Sequence, residues 1–347
     1  MIKPKHLEKG DTAAIVSLSA GTLGEPWAIH RLEIAKERLE KDYGLKVVVM
    51  PNALKGRDYL YRHPEARAQD LMDAFRNPEI KAVFSAIGGD DTIRLLPYID
   101  FDVLRSNPKI FTGFSDTTTN HMMMHKAGLC SYYGATILTN FSEYVKINDY
   151  TAEMIQKTLF DPRPTLEIPS APYWYDDEDE KVWWDEKNLN VQKQYHPEEI
   201  GYEVLQGGGI AEGELLGGCL DVFIELLGTE LWPSKEDWAG KIMFLETSEE
   251  DMSPDCLAWI LRNLNAQGLF DVISGILVGK PARRSKYEAY KEVYRKVIGF
   301  EAGHPELPIL YNVNFGHAEP IGVIPMGVKC RLDADSKTLT LLEPATE

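Results

Sequence analysis

Cysteine is scarce in this chain, and basic charge is outnumbered. The four cysteines among 347 residues, Cys130, Cys219, Cys256 and Cys330, stand far apart with no CxxC pair. That spacing excludes a disulfide framework and a structural zinc knuckle, and leaves the thiols as small buried hydrophobes. Lys and Arg total 37 against 54 Asp and Glu, for a formal charge of −17. No basic stripe offsets it, so the surface repels polyanions, and nucleic acid and anionic membrane are excluded as partners. No apolar run approaches the ~18 residues of a membrane span. The opening MIKPKHLEKGDTAAIVSLSAG also lacks the ~7–15-residue apolar stretch of a signal peptide, so the expected location is the cytoplasm. Low-complexity tracts and short repeats are missing too, which removes disordered and fibrous classes.

The balance of 44% hydrophobic and 26% charged residues is that of an ordinary globular protein, and at ~100–200 residues per domain the length fits two. Apolar runs at 12–19, 45–50, 81–87 and 108–114 read as strands. Between and after them, 27–42, 65–77 and 117–127 carry apolar positions at helical spacing. That alternation predicts α/β architecture with a parallel sheet. Regular structure resumes after 209, with strands at 241–246, 273–279 and 309–315, helices at 254–267 and 285–299, and a hairpin around Asp335–Lys337. The expected organisation is an N-terminal domain over 1–165, a linker and long loop over 166–208, and a smaller C-terminal mixed α/β domain over 209–347. Four prolines at 162–172 lead into the loop, which holds the acidic run 176–180 and Trp174, Trp183 and Trp184.

Gly113-Phe114-Ser115-Asp116 lies between an apolar strand and a helix, the setting of a nucleophile elbow. A helix start there supplies unpaired N–H groups and a positive dipole end for a developing oxyanion. The fifth position is Thr117 rather than glycine, and Ser115 or Asp116 could equally act as a helix cap. Gly88-Gly89-Asp90-Asp91 follows another strand. Its glycines let backbone approach a ligand closely, which suits an oxyanion hole, a phosphate cradle or a plain tight turn. Asp91 disfavours the phosphate.

A serine nucleophile needs a base, and the base needs an orienter. His317 follows a strand end, where functional residues of α/β proteins collect, and Glu246 closes the strand KIMFLE. Ser, Glu, His is a known chain order for such triads; a satisfied loop histidine is the competing account of His317. His121 and His125 lie i, i+4 on one helix but lack the glutamate of HExxH and a third ligand, so no metal is expected. The acidic run 176–180 is expected to be a solvated face.

These residues resemble the LD-carboxypeptidase family of serine peptidases. The likeness is carried by Arg67 to Asp116, the start KGDTAAIVSLSAG, the segment AEGELLGGCLDVFIELLGT, the strand IMFLETSEE and VNFGHAEP, in the family's order over nearly the whole chain. It implies a flavodoxin-like N-terminal domain with a C-terminal domain facing it, no cofactor, and a homodimer. Ser115 is then the nucleophile, His317 the base and Glu246 its orienter, with an oxyanion hole from backbone N–H groups of Gly88, Gly89 and Asp116. Two departures stand out: Cys219 replaces a frequent Asn, and Asp90-Asp91 replaces a commoner Tyr-Gly. The long Trp-bearing loop is most like the microcin C self-immunity branch. That branch cleaves an acidic aminoacyl group from a modified adenylate, with Asp90 and Trp183 or Trp184 as expected substrate contacts. The alternatives are a murein tetrapeptide LD-carboxypeptidase releasing D-Ala on the same triad, a non-catalytic small-molecule binding protein, and a phosphotransferase built on Gly88–Asp91.

Overall fold

Apolar strands alternating with amphipathic helices bury both faces of a parallel sheet. The computed structural model, which describes residues 1–175 and 184–347, contains two large sheets. In the first, the strand order is Lys46–Val49, Thr12–Val16, Ile80–Ser85, Ile110–Gly113, Ser131–Tyr133, then Ile324–Met326 at the far edge. The first five are parallel, the 2-1-3-4-5 order of the flavodoxin-like fold. Helices Ile29–Lys41, Pro64–Arg76 and Thr118–Lys126 fall where the periodicity predicted them. Leu32, Ala35 and Leu39 of the first, and Ala68, Leu71, Met72 and Phe75 of the second, are buried. Pro64 opens its helix at a position where the missing N–H costs nothing.

The second sheet runs Leu166–Glu167, Thr338–Leu341, Lys329–Asp333, Ile210–Cys219, Ile242–Glu246, Gly275–Gly279, Ile309–Val313, Glu203–Gln206. The segment from Ile210–Cys219 to Ile309–Val313 is parallel, and antiparallel strands finish both edges. The expected C-terminal hairpin is among them.

Residues 166–208 form more than a connection. Their ends supply the two edge strands of the second sheet, and Tyr173–Trp174 pairs with His196–Pro197 in a small ribbon. Edge strands of two to four residues are too short to show a period in sequence. The acidic run 176–180 and Trp183 lie outside the described residues. The rest of the loop is pinned by Lys193, whose side chain is 2% exposed and bridges Glu143 at 2.7 Å and Glu319 at 2.8 Å. Among the described residues no helix is long and apolar enough to cross a membrane.

Candidate active site

The carboxyl ends of strands from both sheets open into one cavity of about 660 Å³, lined by Ser115, Gly88, Gly89, Asp116, Cys219 and His317 among others. Ser115 lies two residues past the end of the Ile110–Gly113 strand and has φ +64°. That left-handed conformation costs a non-glycine residue ~1–3 kcal/mol, and it is the turn that lifts a serine hydroxyl out of the backbone at a strand-to-helix elbow. The Ser115 N–H donates to the Tyr133 hydroxyl at 3.1 Å. A Cβ at Gly88 would come within 2.9 Å of Ser115 Oγ and 3.2 Å of the Asp116 nitrogen, so glycine there keeps the space beside the hydroxyl open.

Asp116 turns its carboxylate inward. One oxygen accepts from Ser19 Oγ at 2.5 Å, Thr92 Oγ1 at 2.6 Å, and the N–H groups of Thr92 and Asp91 at 3.0 and 3.1 Å. These bonds lock the Gly88–Asp91 turn against the serine turn. Asp91 is paired bidentately with the buried Arg67 at 2.5 and 3.0 Å, so the carboxylate that counted against a phosphate cradle is a structural strut. Asp90 is exposed on the cavity wall.

Glu246 is 1% exposed at the end of its strand. Its Oε2 pairs with His317 Nδ1 at 2.7 Å, and its Oε1 accepts from the Tyr133 hydroxyl at 2.5 Å. Gly316, with φ +91°, lets the backbone pass this close, since a Cβ there would sit 2.6 Å from Glu246 Oε2. The His317 ring meets the edge of Phe114 at 5.0 Å between centroids, and its Nε2 faces Glu249 Oε2 at 3.2 Å. Burial by itself lowers the imidazole pKa, but the charge and hydrogen bond of Glu246, with Glu249 and Asp221, outweigh it and raise the pKa to about 9. The stabilisation this provides is complete below the unfolded value near 6.5 and is lost as pH rises through about 9.

A protonated imidazole cannot accept a proton from Ser115. The rate of Ser115 labelling by a fluorophosphonate should therefore climb with pH through an apparent pKa near 9. Glu249→Gln removes one charge holding the imidazolium and frees Nε2. The limb is then expected to move to lower pH, with labelling at pH 7 up to about tenfold faster, the worth of one unit. An unchanged profile in the variant would remove Glu249 from this role.

The cavity wall is acidic. Asp90, Asp221, Glu225, Glu249 and Glu250 line it, with Arg57 as the one Lys or Arg among the described lining residues. Burial, followed by the charges of Asp116, Asp90 and Asp91, raises Glu225 to about 7. Trp184 also lines the cavity, its ring edge-on to Trp27 at 5.3 Å and 4.9 Å from the Arg31 guanidinium.

The structure thus brings Ser115, His317, Gly88, Gly89, Asp116, Asp90 and Trp184 to one cavity, with Glu246 buried behind His317 and bonded to its Nδ1. Tyr133, Asp221, Glu225 and Glu249 escaped the sequence reading. Glu249 had a signal, three residues beyond Glu246 in the same quoted motif, whereas Tyr133 looked like any buried strand residue. His121 and His125 do not gather as metal ligands among the described residues. His121 is buried and engaged on both nitrogens, with Ser131 Oγ at 2.8 Å and the Gly113 carbonyl at 2.9 Å. Burial lowers it to about 4, so it is a neutral support under the strand that leads to Ser115.

Residues 13–134 match the LD-carboxypeptidase N-terminal domain and residues 212–332 the LD-carboxypeptidase C-terminal domain. The chain is 29% identical to the Microcin C7 self-immunity protein MccF of Escherichia coli, over 97% of this chain and 94% of that one. A solved structure of MccF in complex with aspartyl sulfamoyl adenosine matches with a TM-score of 0.85 at 27% identity, covering both chains fully. The MccF-like protein from Streptococcus pneumoniae, solved in complex with AMP, matches with a TM-score of 0.87 at 36% identity over 96% of this chain and 98% of that one. A probable murein peptide carboxypeptidase of Bacillus subtilis is 30% identical over 98% of this chain and 94% of its own.

Proposed function

Because the chain belongs to the LD-carboxypeptidase family of serine peptidases and is a hydrolase, we propose that Ser115, His317 and Glu246 form its catalytic triad and cleave the amide-type bond between an acidic aminoacyl group and a modified adenylate. The observation that carries this is the strained Ser115 turn sharing one cavity with His317, whose Nδ1 the buried Glu246 holds from behind.

In the first half-reaction His317 Nε2 leaves Glu249 and accepts the Ser115 proton as Oγ attacks the substrate carbonyl. Glu246 keeps Nδ1 protonated and balances the imidazolium. The N–H groups of Asp116 and the Gly88–Gly89 turn receive the oxyanion, each donor worth ~2.7–4 kcal/mol in the transition state. The imidazolium then returns its proton to the leaving nitrogen, and an acyl-serine remains. Water repeats the sequence to release the acid. Tyr133 already occupies the Ser115 N–H, so that group stands outside the oxyanion hole.

Support for the nucleotide half comes from the adenosine and AMP complexes of the relatives and from Trp184 on the cavity wall. Base–aromatic stacking is worth ~1–3 kcal/mol. Trp184→Ala is therefore expected to raise KM for aspartyl-sulfamoyl-adenosine about 5- to 150-fold and to leave a murein tetrapeptide unchanged. Equal losses on both would make the indole structural. The murein alternative rests on the Bacillus relative, and release of D-Ala with no release of Asp or Glu would establish it. A homodimer completes the proposal, on family resemblance alone.

A further inference from the structure

We propose that the cleft also holds a site for a thiophilic divalent cation, Zn²⁺ or Cd²⁺, built from Cys219, Glu246 and His317, and that its occupancy silences the hydrolase. One ligand atom from each of the three, a thiol sulfur, a carboxylate oxygen and a ring nitrogen, lies within 4.8 Å of the other two. The arrangement follows from the sheet. Cys219 and Glu246 are register partners at the carboxyl ends of adjacent parallel strands, and His317 follows the end of Ile309–Val313. Zinc bond lengths to S, N and O imply ligand separations of roughly 3.3–3.6 Å around a tetrahedral ion, so the Glu246–His317 pair, at 2.7 Å, has to open, and the set lies within small side-chain shifts of that geometry. A sulfur, nitrogen and oxygen set on three residues, of which Cys219 and His317 line the cavity, is a zinc-type donor set.

Two features of the cavity favour cation entry. Cys219 lines it directly, and the carboxylates of Asp90, Asp221, Glu225, Glu249 and Glu250 line the same space, which raises the local cation concentration. The opposing cost is protonic. Burial, then the charges of Glu246 and Asp221, keeps the Cys219 thiol protonated, and the thiol lies 3.4 Å from Asp221 Oδ2. Metal entry replaces the thiol proton and the proton shared by His317 Nδ1 and Glu246 Oε2, and both go to solvent. Affinity must then rise with pH. Nothing is oxidised. With its imidazole and carboxylate on the metal, the cleft has no acceptor for the Ser115 proton.

Binding is independent of the proposed activity, whereas silencing rests on it, so two readouts are needed. Metal-free protein is titrated with Cd²⁺ and followed by thiolate-to-metal charge-transfer absorption in the ultraviolet. The wild type is expected to gain the band with one ion per chain, Cys219→Ser to lack it, and His317→Gln, which keeps the thiol, to bind about tenfold or more weakly. Cys256→Ser, removing the one half-buried thiol, is expected to bind like the wild type. No band in the wild type, or an undiminished band in Cys219→Ser, would overturn the site. Separately, Zn²⁺ is expected to slow fluorophosphonate labelling of Ser115 in the wild type and to lose that effect in Cys219→Ser, each measured against its own zinc-free rate. Equal slowing in both would overturn the silencing. A wild type that never labels, even without metal, would instead contradict Ser115 as nucleophile and leave the Cd²⁺ band to decide the site.

Discussion

Ser115→Ala is expected to lower hydrolysis by about 10⁴- to 10⁶-fold while leaving substrate affinity nearly intact. The hydroxyl forms the only bond between enzyme and substrate in the proposed mechanism, so removing Oγ abolishes the acyl-enzyme, and the remaining groups can at best assist attack by water. The fold has little stake in that atom. The contacts fixing the turn run through the Ser115 N–H to Tyr133 and the Asp116 carboxylate to Ser19, Asp91 and Thr92, and alanine retains all of them. Alanine must still adopt φ +64°, as serine does, so Tm should move little. The measurement is mass-spectrometric detection of products from aspartyl-sulfamoyl-adenosine, its glutamyl analogue and a murein tetrapeptide, with wild type and variant in parallel. Free Asp or Glu from the wild type alone establishes the nucleophile and the substrate class together. A variant that keeps more than about a hundredth of wild-type turnover would mean another group attacks.

The first sheet was legible because its strands are compact apolar runs set between helices long enough to show the helical period, from Thr12–Val16 to Thr118–Lys126. The second was legible only in part. Ile210–Cys219 alternates only over its first half, is buried throughout its later half, and carries glycines at 213, 217 and 218, so β-branched enrichment does not mark it. Ile324–Met326 returns to the first sheet beside Ser131–Tyr133, a long-range pairing that no local pattern encodes. The site divides in the same way. Ser115, Glu246 and His317 stand at strand ends, where sequence already points to function. Tyr133 and Glu249 matter through the atoms they face across the cleft, and only the assembled fold supplies those neighbours. Asp91 misled for the same reason, since its partner Arg67 lies on a helix 24 residues away.

Glu246→Gln should cost about 10⁴-fold in turnover, as removing the orienting carboxylate does in other triads, and it tests the link from Tyr133 through Glu246 to His317. In the native site both carboxylate oxygens accept, one from the Tyr133 hydroxyl and one from His317 Nδ1. A glutamine offers one acceptor and one donor. With its oxygen toward Tyr133, its amide N–H points at Nδ1, which must then be the unprotonated nitrogen. The proton moves to Nε2, the nitrogen that has to receive the serine proton, and the base is lost. With the amide reversed, the tautomer survives, because the Tyr133 oxygen can accept in turn, but the imidazolium loses the charge that contributes most to raising its pKa. The pH–rate limb then moves to lower pH even as the plateau falls. At 1% exposure of Glu246, solvent cannot replace the missing charge. A merely structural carboxylate would lower the plateau and leave the limb where it was. Turnover within tenfold of wild type, or an unmoved limb, would sink the assignment of Glu246 as the group that holds His317 in its reactive state.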